Sequence, residues 1–292
     1  MKLRDYLLLL TLVPHIGLKR QQHVWQWLQK HPQATLPLTT HVLFEILTLP
    51  TSLQTLIGHA YLSEHHYQQA HKQGPFLAIC DLAYPLLLKE IALPPLILFY
   101  QGDLRALKLP KIALVGSRLP DKHSYHVLDQ LLPEIIAKGI GVVSGLAQGI
   151  DGWAHQLTIQ HGGVAIGCIG TGLNQVYPQQ LASLQAQVKA YGLVLSEYPL
   201  DTPPRKHHFP ARNRIIAGLC QATVIVEARQ KSGSLITANM ALHANRNVLA
   251  IPGPALNEHF KGSNALLNEG AECVIGADNI IAAALNNFKY LP

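Results

Sequence analysis

A chain of 292 residues with 48% apolar and 14% charged side chains has enough apolar surface for a sizeable core, which excludes a disordered or tail-driven binder. Its formal charge of +6, to which 16 histidines add as pH falls below about 6.5, favours anionic partners. The cysteines Cys80, Cys168, Cys220 and Cys273 form no C-x-x-C pair and no apolar stretch is long enough to cross a bilayer, so reduced thiols, a cytoplasmic location and no membrane span are expected.

The run YLLLLTLV at 6–13 follows Lys2 and Arg4 as a signal peptide's apolar stretch would. Asp5 stands among the basic residues, however, and Pro14, His15 and Gly17 occupy the place of a small-residue cleavage site, which predicts a core helix. Leu, Gln and His dominate up to residue 72, and apolar residues recur at helical spacing in Val24, Trp27 and Leu28 and again in Leu53, Leu56 and Ile57. A small all-helical domain, of the SAM or helix-hairpin-helix kind, is predicted over 1–72. Its VPHIGL turn at 13–18 resembles a helix-hairpin-helix turn, whose N–H groups can meet DNA phosphate, and fits a plain packing turn as well.

Gln73-Gly74-Pro75 ends the helical pattern and opens a second domain over 73–292. FLAIC at 76–80 and LILFY at 96–100 predict buried strands, with connections at 83–87 and 93–95 and a turn at 101–103. From Lys111 the pattern alternates. Strands are predicted at 112–115, 139–143, 164–169, 193–196, 223–226, 248–251 and 273–275, and helices at 124–137, 150–161, 179–190, 210–219, 235–245 and 264–268. Continuous apolar strands separated by helices predict an α/β fold with a doubly wound, mostly parallel sheet.

Three of these strands hand over to glycine turns: LVGSR at 114–118, VSGLAQGID at 143–151 and IGCIGTG at 166–172. In a parallel sheet such turns open at one edge, where backbone N–H groups and helix N-termini favour phosphate. The stretch HHFPARNRIIAG at 207–218 brings a proline turn, Arg212, Asn213 and Arg214 to the mouth of an apolar segment, so the sequence predicts a site for a phosphate-bearing ligand. No turn completes G-x-G-x-x-G with a suitably spaced acidic residue, and no P-loop lysine is present. Neither a dinucleotide nor nucleotide hydrolysis is expected.

Gly116-Ser117-Arg118 places a hydroxyl and a guanidinium at the end of the first strand of the series, where arginine can fork onto phosphate oxygens. Arg212 and Arg214, two apart on a helix, cannot face the same way; Arg212 is assigned to ligand and Arg214 to structure. Lys206 can reach phosphate from the preceding loop. Phe209 can stack on a base or staple the helix start, and the residues leave both open. Asp151 and His155 share a helix face without a second acidic-histidine cluster, so a cap and a structural partner are read there instead of a metal site. Glu197 and Glu227 have no visible nucleophile or base partner and are read as structural. In SGSLITA the hydroxyls cap a helix, with N–H groups able to bind as well. No catalytic residue, metal or cofactor is assigned.

Taken in order, GSR (116–118), SGLAQGIDGWAH (144–155), GTGLNQVYP (170–178), SEYP (196–199), FPARNRIIAG (209–218), VEARQKSGSLITA (226–238) and IPG (251–253) resemble the DNA-processing protein A family, also called DprA or Smf. The resemblance runs from about residue 74 to 271, and AYPLLLKEI and LILFYQGD are also similar to the family's opening segment. It implies an extended Rossmann-like fold that binds single-stranded DNA, with no catalytic turnover. It further implies protection of DNA entering in natural transformation, loading of a RecA-type recombinase, and a homodimer formed through the Rossmann-like domain. Carried onto matching positions, DNA contacts come from Arg118 with Gly116 and Ser117, from Ser144 and Gly145, from Gly170, Thr171 and Gly172, and from Lys206, Phe209, Arg212 and Asn213. The chain departs from the family at Cys220, where serine is usual. It reaches Pro292 without the winged-helix-like module of many relatives, and no such domain is expected. The rival reading is a nucleotide-processing enzyme of the phosphoribohydrolase kind, whose PGG-x-GT-x-x-E string this chain lacks. A third is a scaffold that binds only protein.

Overall fold

The leucine-rich run near the amino terminus forms helix α1 (Leu3–Leu12), with Tyr6, Leu7, Leu8, Leu9 and Leu10 all buried, as its unbroken apolar character predicts. The structure, a computed structural model, describes residues 1–286 and divides into two units, Met1–Tyr84 with Ala92–Phe99 and Pro85–Ile91 with Tyr100–Pro292.

In the first unit α1 is followed by α2 (Leu18–Lys30), α3 (Thr40–Leu47), α4 (Thr51–Tyr61) and α5 (Glu64–His71). Between α1 and α2 the Ile16 N–H donates to the Val13 carbonyl at 3.2 Å and the Arg20 guanidinium to that of His15 at 2.6 Å, which closes the 13–18 turn. The buried Tyr61 hydroxyl donates to the Leu38 carbonyl at 2.8 Å. Of the apolar residues expected to share a face in α4, Ile57 is buried while Leu56 is 57% exposed. Strand β1 (Phe76–Ala78) then pairs antiparallel with the start of β2 (Ile97–Gly102), Phe76 opposite Phe99.

The second unit contains the alternating elements: α6 (Leu86–Lys89), β3 (Lys111–Gly116), α7 (Lys122–Ala137), β4 (Gly141–Ser144), α8 (Ile150–Gln160), β5 (Ala165–Ile169), α9 (Ala182–Tyr191), β6 (Leu193–Ser196), α10 (His208–Leu219), β7 (Ala222–Glu227), α11 (Gly233–His243), β8 (Asn247–Ala250), α12 (Lys261–Asn268), β9 (Glu272–Cys273) and α13 (Ala277–Asn286). Helix α6 occupies part of the stretch expected to be a connection. Helix α10 starts two residues before the predicted bound, because Pro210 falls in its first turn, where a missing N–H removes no intrahelical bond. Helix α13 was not predicted. Its buried face is Ile280, Ile281, Ala283 and Ala284, and alanine gives a faint periodic signal.

The sheet of this unit has the order β6-β5-β4-β3-β7-β8-β9, every pair parallel. Chain order runs outward from β3 in one direction and from β7 in the other, as in the predicted doubly wound fold. Alternate strand residues face opposite layers. Ile112, Leu114, Val142, Val224 and Val226 pack with α7, α8 and α13, while α10 and α11 pack side by side against the other face. With both faces covered, β3, β4, β5, β6 and β7 are buried almost throughout, which explains their continuous apolar sequence.

Candidate functional site

Where β3 and β7 part company, the loops leaving them go to opposite faces of the sheet, and a crevice forms outside their carboxyl ends. A cleft of about 750 Å³ opens there, lined by Gly116, Ser117, Arg118, Asp151, Tyr177, Lys206, Phe209, Arg212, Asn213, Arg229 and the start of α11 at Ser232, Gly233 and Ser234, among others. The starts of α8, α10 and α11 all contribute to it, so their unpaired N–H groups and partial positive charge add to that of the side chains.

Gly116 lets these pieces approach. A Cβ there would lie 2.6 Å from Ile150 Cγ1 and 2.9 Å from the Glu227 carbonyl oxygen. The next residue stitches the edge together, since Ser117 N–H donates to the Glu227 carbonyl at 2.9 Å and its own carbonyl accepts from Ile150 N–H at 3.1 Å. Arg118 is thereby turned out to solvent.

Beneath the cleft lies a buried ionic floor. Arg212 is 4% exposed and Asp151 8%; Gly145 N–H donates to Asp151 Oδ2 at 3.1 Å, and Arg212 Nη1 donates to the carbonyls of Gly145 and Cys168. Burial pushes the Asp151 carboxyl above the usual carboxylate range while Arg212 pulls it back, and burial also lowers the guanidinium. His155, completely buried on α8, is pushed down to about 4, chiefly by desolvation. Arg212, assigned to ligand from the sequence, lines the cleft while its guanidinium is held by the protein's own carbonyls. Its turn of α10 meets the carboxyl ends of β4 and β5, and their main-chain carbonyls engage its fork. Arg214 points inward as expected, with Nη2 2.5 Å from Glu197 Oε1.

The other assigned residues divide. Gly145, Gly170 and Thr171 line a smaller hollow of about 60 Å³ together with Arg118, Tyr177, Phe209 and Arg212. Ser144 and Gly172, also assigned from the sequence, line neither of these two hollows. The Ser144 side chain is fully buried and its hydroxyl donates to the Leu114 carbonyl at 2.6 Å. Gly172 is pressed against the carbonyls of Pro199 and Leu200, which leave no room for a Cβ, and its N–H donates to Thr202 at 2.9 Å. It serves a chain crossing.

At the rim, Arg118, Lys206 and Arg229 are exposed. Phe209 packs across Gly170, where a Cβ would sit 3.1 Å from its Cδ1, and against Tyr177 with ring centroids 5.2 Å apart and planes inclined at 38°. Sequence reasoning assigned neither Tyr177 nor Arg229, although both lie inside quoted motifs. A signal existed for the arginine, because Arg118 and Arg229 each stand two residues past the end of a switch-point strand.

The carboxylates of this edge are engaged by protein groups. Glu227, fully buried, accepts from Asp121 N–H at 2.8 Å and the Ser124 hydroxyl at 2.7 Å through Oε2, and its Oε1 lies 2.9 Å from His259 Nδ1. Among the described residues no group of three His, Cys, Asp or Glu is placed to hold a metal ion, and no helix is long and apolar enough to cross a membrane.

A family profile described as DNA recombination-mediator protein A matches residues 75–285. The DNA processing protein DprA of Streptococcus pneumoniae (strain ATCC BAA-255 / R6) is 42% identical over 221 residues, which cover 76% of this chain and 78% of that protein. An X-ray structure of DprA from Streptococcus pneumoniae superposes with a TM-score of 0.89 at 35% identity, covering 97% of this chain and 98% of the other. DNA processing protein A from Helicobacter pylori, whose structure is described for its single-stranded DNA binding mode, superposes with a TM-score of 0.65 at 30% identity over 73% of this chain and 96% of that one.

Proposed function

This chain belongs to the DNA recombination-mediator protein A family, and from that premise we propose that its cleft binds single-stranded DNA, with phosphates on Arg118 and Lys206 and a base against Phe209 and Tyr177. The observation that carries this reading is the gathering of exposed cations and a pair of aromatic rings on one edge, above the starts of three helices. Cations supply a salt-sensitive, sequence-independent attraction, and aromatic faces accept any base. Gly145, Gly170 and Thr171 offer the backbone a close approach, and Asn213 a polar side chain. Arg212 acts from below as the structural floor.

In this reading the protein is a binder without turnover. It shields single-stranded DNA entering in natural transformation and loads a RecA-type recombinase onto it, working in the cytoplasm as a homodimer. Engagement of Asp151, Glu197 and Glu227 by neighbouring groups supports a binding role over that of a hydrolase, which needs a carboxylate free to act as base or nucleophile.

Fluorescence anisotropy of labelled single-stranded and duplex oligonucleotides across a salt series tests this directly. The expected outcome is a preference for single strands, lost in Arg118→Ala/Lys206→Ala together with about 1.4 units of the log–log salt slope, ~0.7 for each phosphate contact. Equal binding of duplex, or an unchanged double variant, overturns the site. Release of base from nucleoside monophosphates would instead make the protein an enzyme.

A further inference from the structure

Arg229 follows the end of β7 by two residues and reaches the cleft as an exposed side chain. An exposed arginine ordinarily samples many rotamers and loses that freedom when it captures a ligand. This one is tethered: its Nη2 lies 2.7 Å from His259 Nε2, and His259 Nδ1 lies 2.9 Å from Glu227 Oε1.

The protons in this chain of contacts can be assigned by elimination. Guanidinium N–H groups only donate, so Nε2 accepts with its lone pair and the ring proton resides on Nδ1, donated to Glu227. The carboxylate is fixed in turn, because its second oxygen takes the Asp121 N–H and the Ser124 hydroxyl. His259 is anchored through its backbone as well, its N–H donating to Asn257 Oδ1 at 3.0 Å. A buried carboxylate at the end of β7 thus holds a neutral imidazole, which holds an exposed guanidinium at the cleft. The guanidinium has five N–H groups; His259 takes one, and the others can fork onto phosphate.

Resting on the reading of the cleft as a single-stranded DNA site, we propose that Arg229 is a further phosphate contact and that His259, oriented by Glu227, is the positioning residue that presets its guanidinium.

The test uses the full chain and a labelled single-stranded oligothymidylate. Arg229→Ala is expected to weaken binding about fivefold at low salt and to lower the salt slope by ~0.7. His259→Leu should lose about threefold in the wild-type background and nothing in Arg229→Ala. His259→Gln should restore binding, because its amide donates to Glu227 and accepts from Arg229. Nitrogen-15 chemical shifts of His259 in the unaltered protein should report a protonated Nδ1 and a bare Nε2. The tautomer and the Arg229→Ala slope are read with all three Glu227 donors in place, so they decide the matter even where His259→Leu fails to fold. Wild-type binding with an unchanged Arg229→Ala slope, equal loss from His259→Leu with and without Arg229, or a proton on Nε2 overturns the inference. Absence of wild-type binding to single strands overturns the cleft reading instead.

Discussion

The floor and the rim of the cleft use charge in opposite ways. In the floor, Arg212 and Asp151 are 4% and 8% exposed, and desolvation is the largest influence on both. Removing two ions from water is offset only while each keeps its partner and its hydrogen bonds. At the rim, Arg118, Lys206 and Arg229 remain in water, where their charge contributes little to folding and is available to an anion. The difference teaches that the number of cations near a cleft says little about affinity until their burial is known: the floor's cation is held by the protein's own carbonyls, and the rim's cations are left open to solvent.

Breaking the floor should have the largest effect. Arg212→Met leaves Asp151 buried without its counter-charge and the carbonyls of Gly145 and Cys168 without their donor, at an expected cost of about 3–5 kcal/mol. Arg118→Ala should stay within about 0.5 kcal/mol of wild type. Urea unfolding of the two variants measures both. Equal stabilities would erase the distinction.

The floor should also set an acid limit. The His155 imidazole titrates near 4 in the folded chain and near ~6.5 unfolded. Above ~6.5 both states are neutral and the group has no effect on stability. As pH falls from there towards 4, the unfolded chain takes the proton first, and folding stability declines by about 3 kcal/mol in all; below 4 this group adds nothing more. Asp151, whose carboxyl is raised by burial, works in the opposite sense at the acid end. The readout is therefore the difference between wild type and His155→Gln in unfolding free energy from pH 7.5 to 4.5, a gap that should narrow as the pH falls.

Which residues belong to floor and which to rim marks the limit of what the sequence discloses. The β/α alternation was legible because both faces of the sheet are covered, so strands read as unbroken apolar runs between turns. The edge was legible too, as glycine turns and basic residues converge there, and Arg118, Lys206 and Phe209 were all placed from the sequence. The inward turn of Arg212 was not. A spacing of two says that Arg212 and Arg214 differ in direction, but the carbonyls that capture Arg212 belong to Gly145 and Cys168, 67 and 44 residues away. Ser144 and Gly172 show the same limit, since a motif does not separate the residues lining a hollow from those supporting it. Helix α13 escaped because its alanines blur the periodicity, and α6 because it has only four residues.

Phe209 tests the boundary between the two layers, being half-buried against Gly170 and Tyr177 while lining both hollows. If it belongs to the rim, Phe209→Ala should weaken single-strand binding by about 1–3 kcal/mol for the stacked base, with a smaller loss of folding stability. The loss should be similar for thymine and cytosine tracts, because a stacking face reads no base edge. Gly170→Ala should move in the same direction by less, since its methyl would sit 3.1 Å from Phe209 Cδ1 and tilt the ring. A Phe209→Ala variant that loses stability and keeps its affinity would transfer this ring to the floor.

The smallest effects sharpen the comparison most, because they concern coupling. Floor residues share partners: Gly145 gives its N–H to Asp151 and its carbonyl to Arg212, so substitutions there should be strongly non-additive. No hydrogen bond joins Arg118 to Lys206 among the described residues, and each should act on the ligand alone. Arg118→Ala and Lys206→Ala are therefore each expected to reduce single-strand affinity a few-fold at low salt and the salt slope by ~0.7. Their double variant should equal the sum of the two within about 0.5 kcal/mol. Anisotropy titrations of the two single variants and the double variant supply the cycle. A coupling well above that margin would mean that the two cations grip one phosphate together, and the rim would then be a single built site instead of a row of independent contacts along the strand.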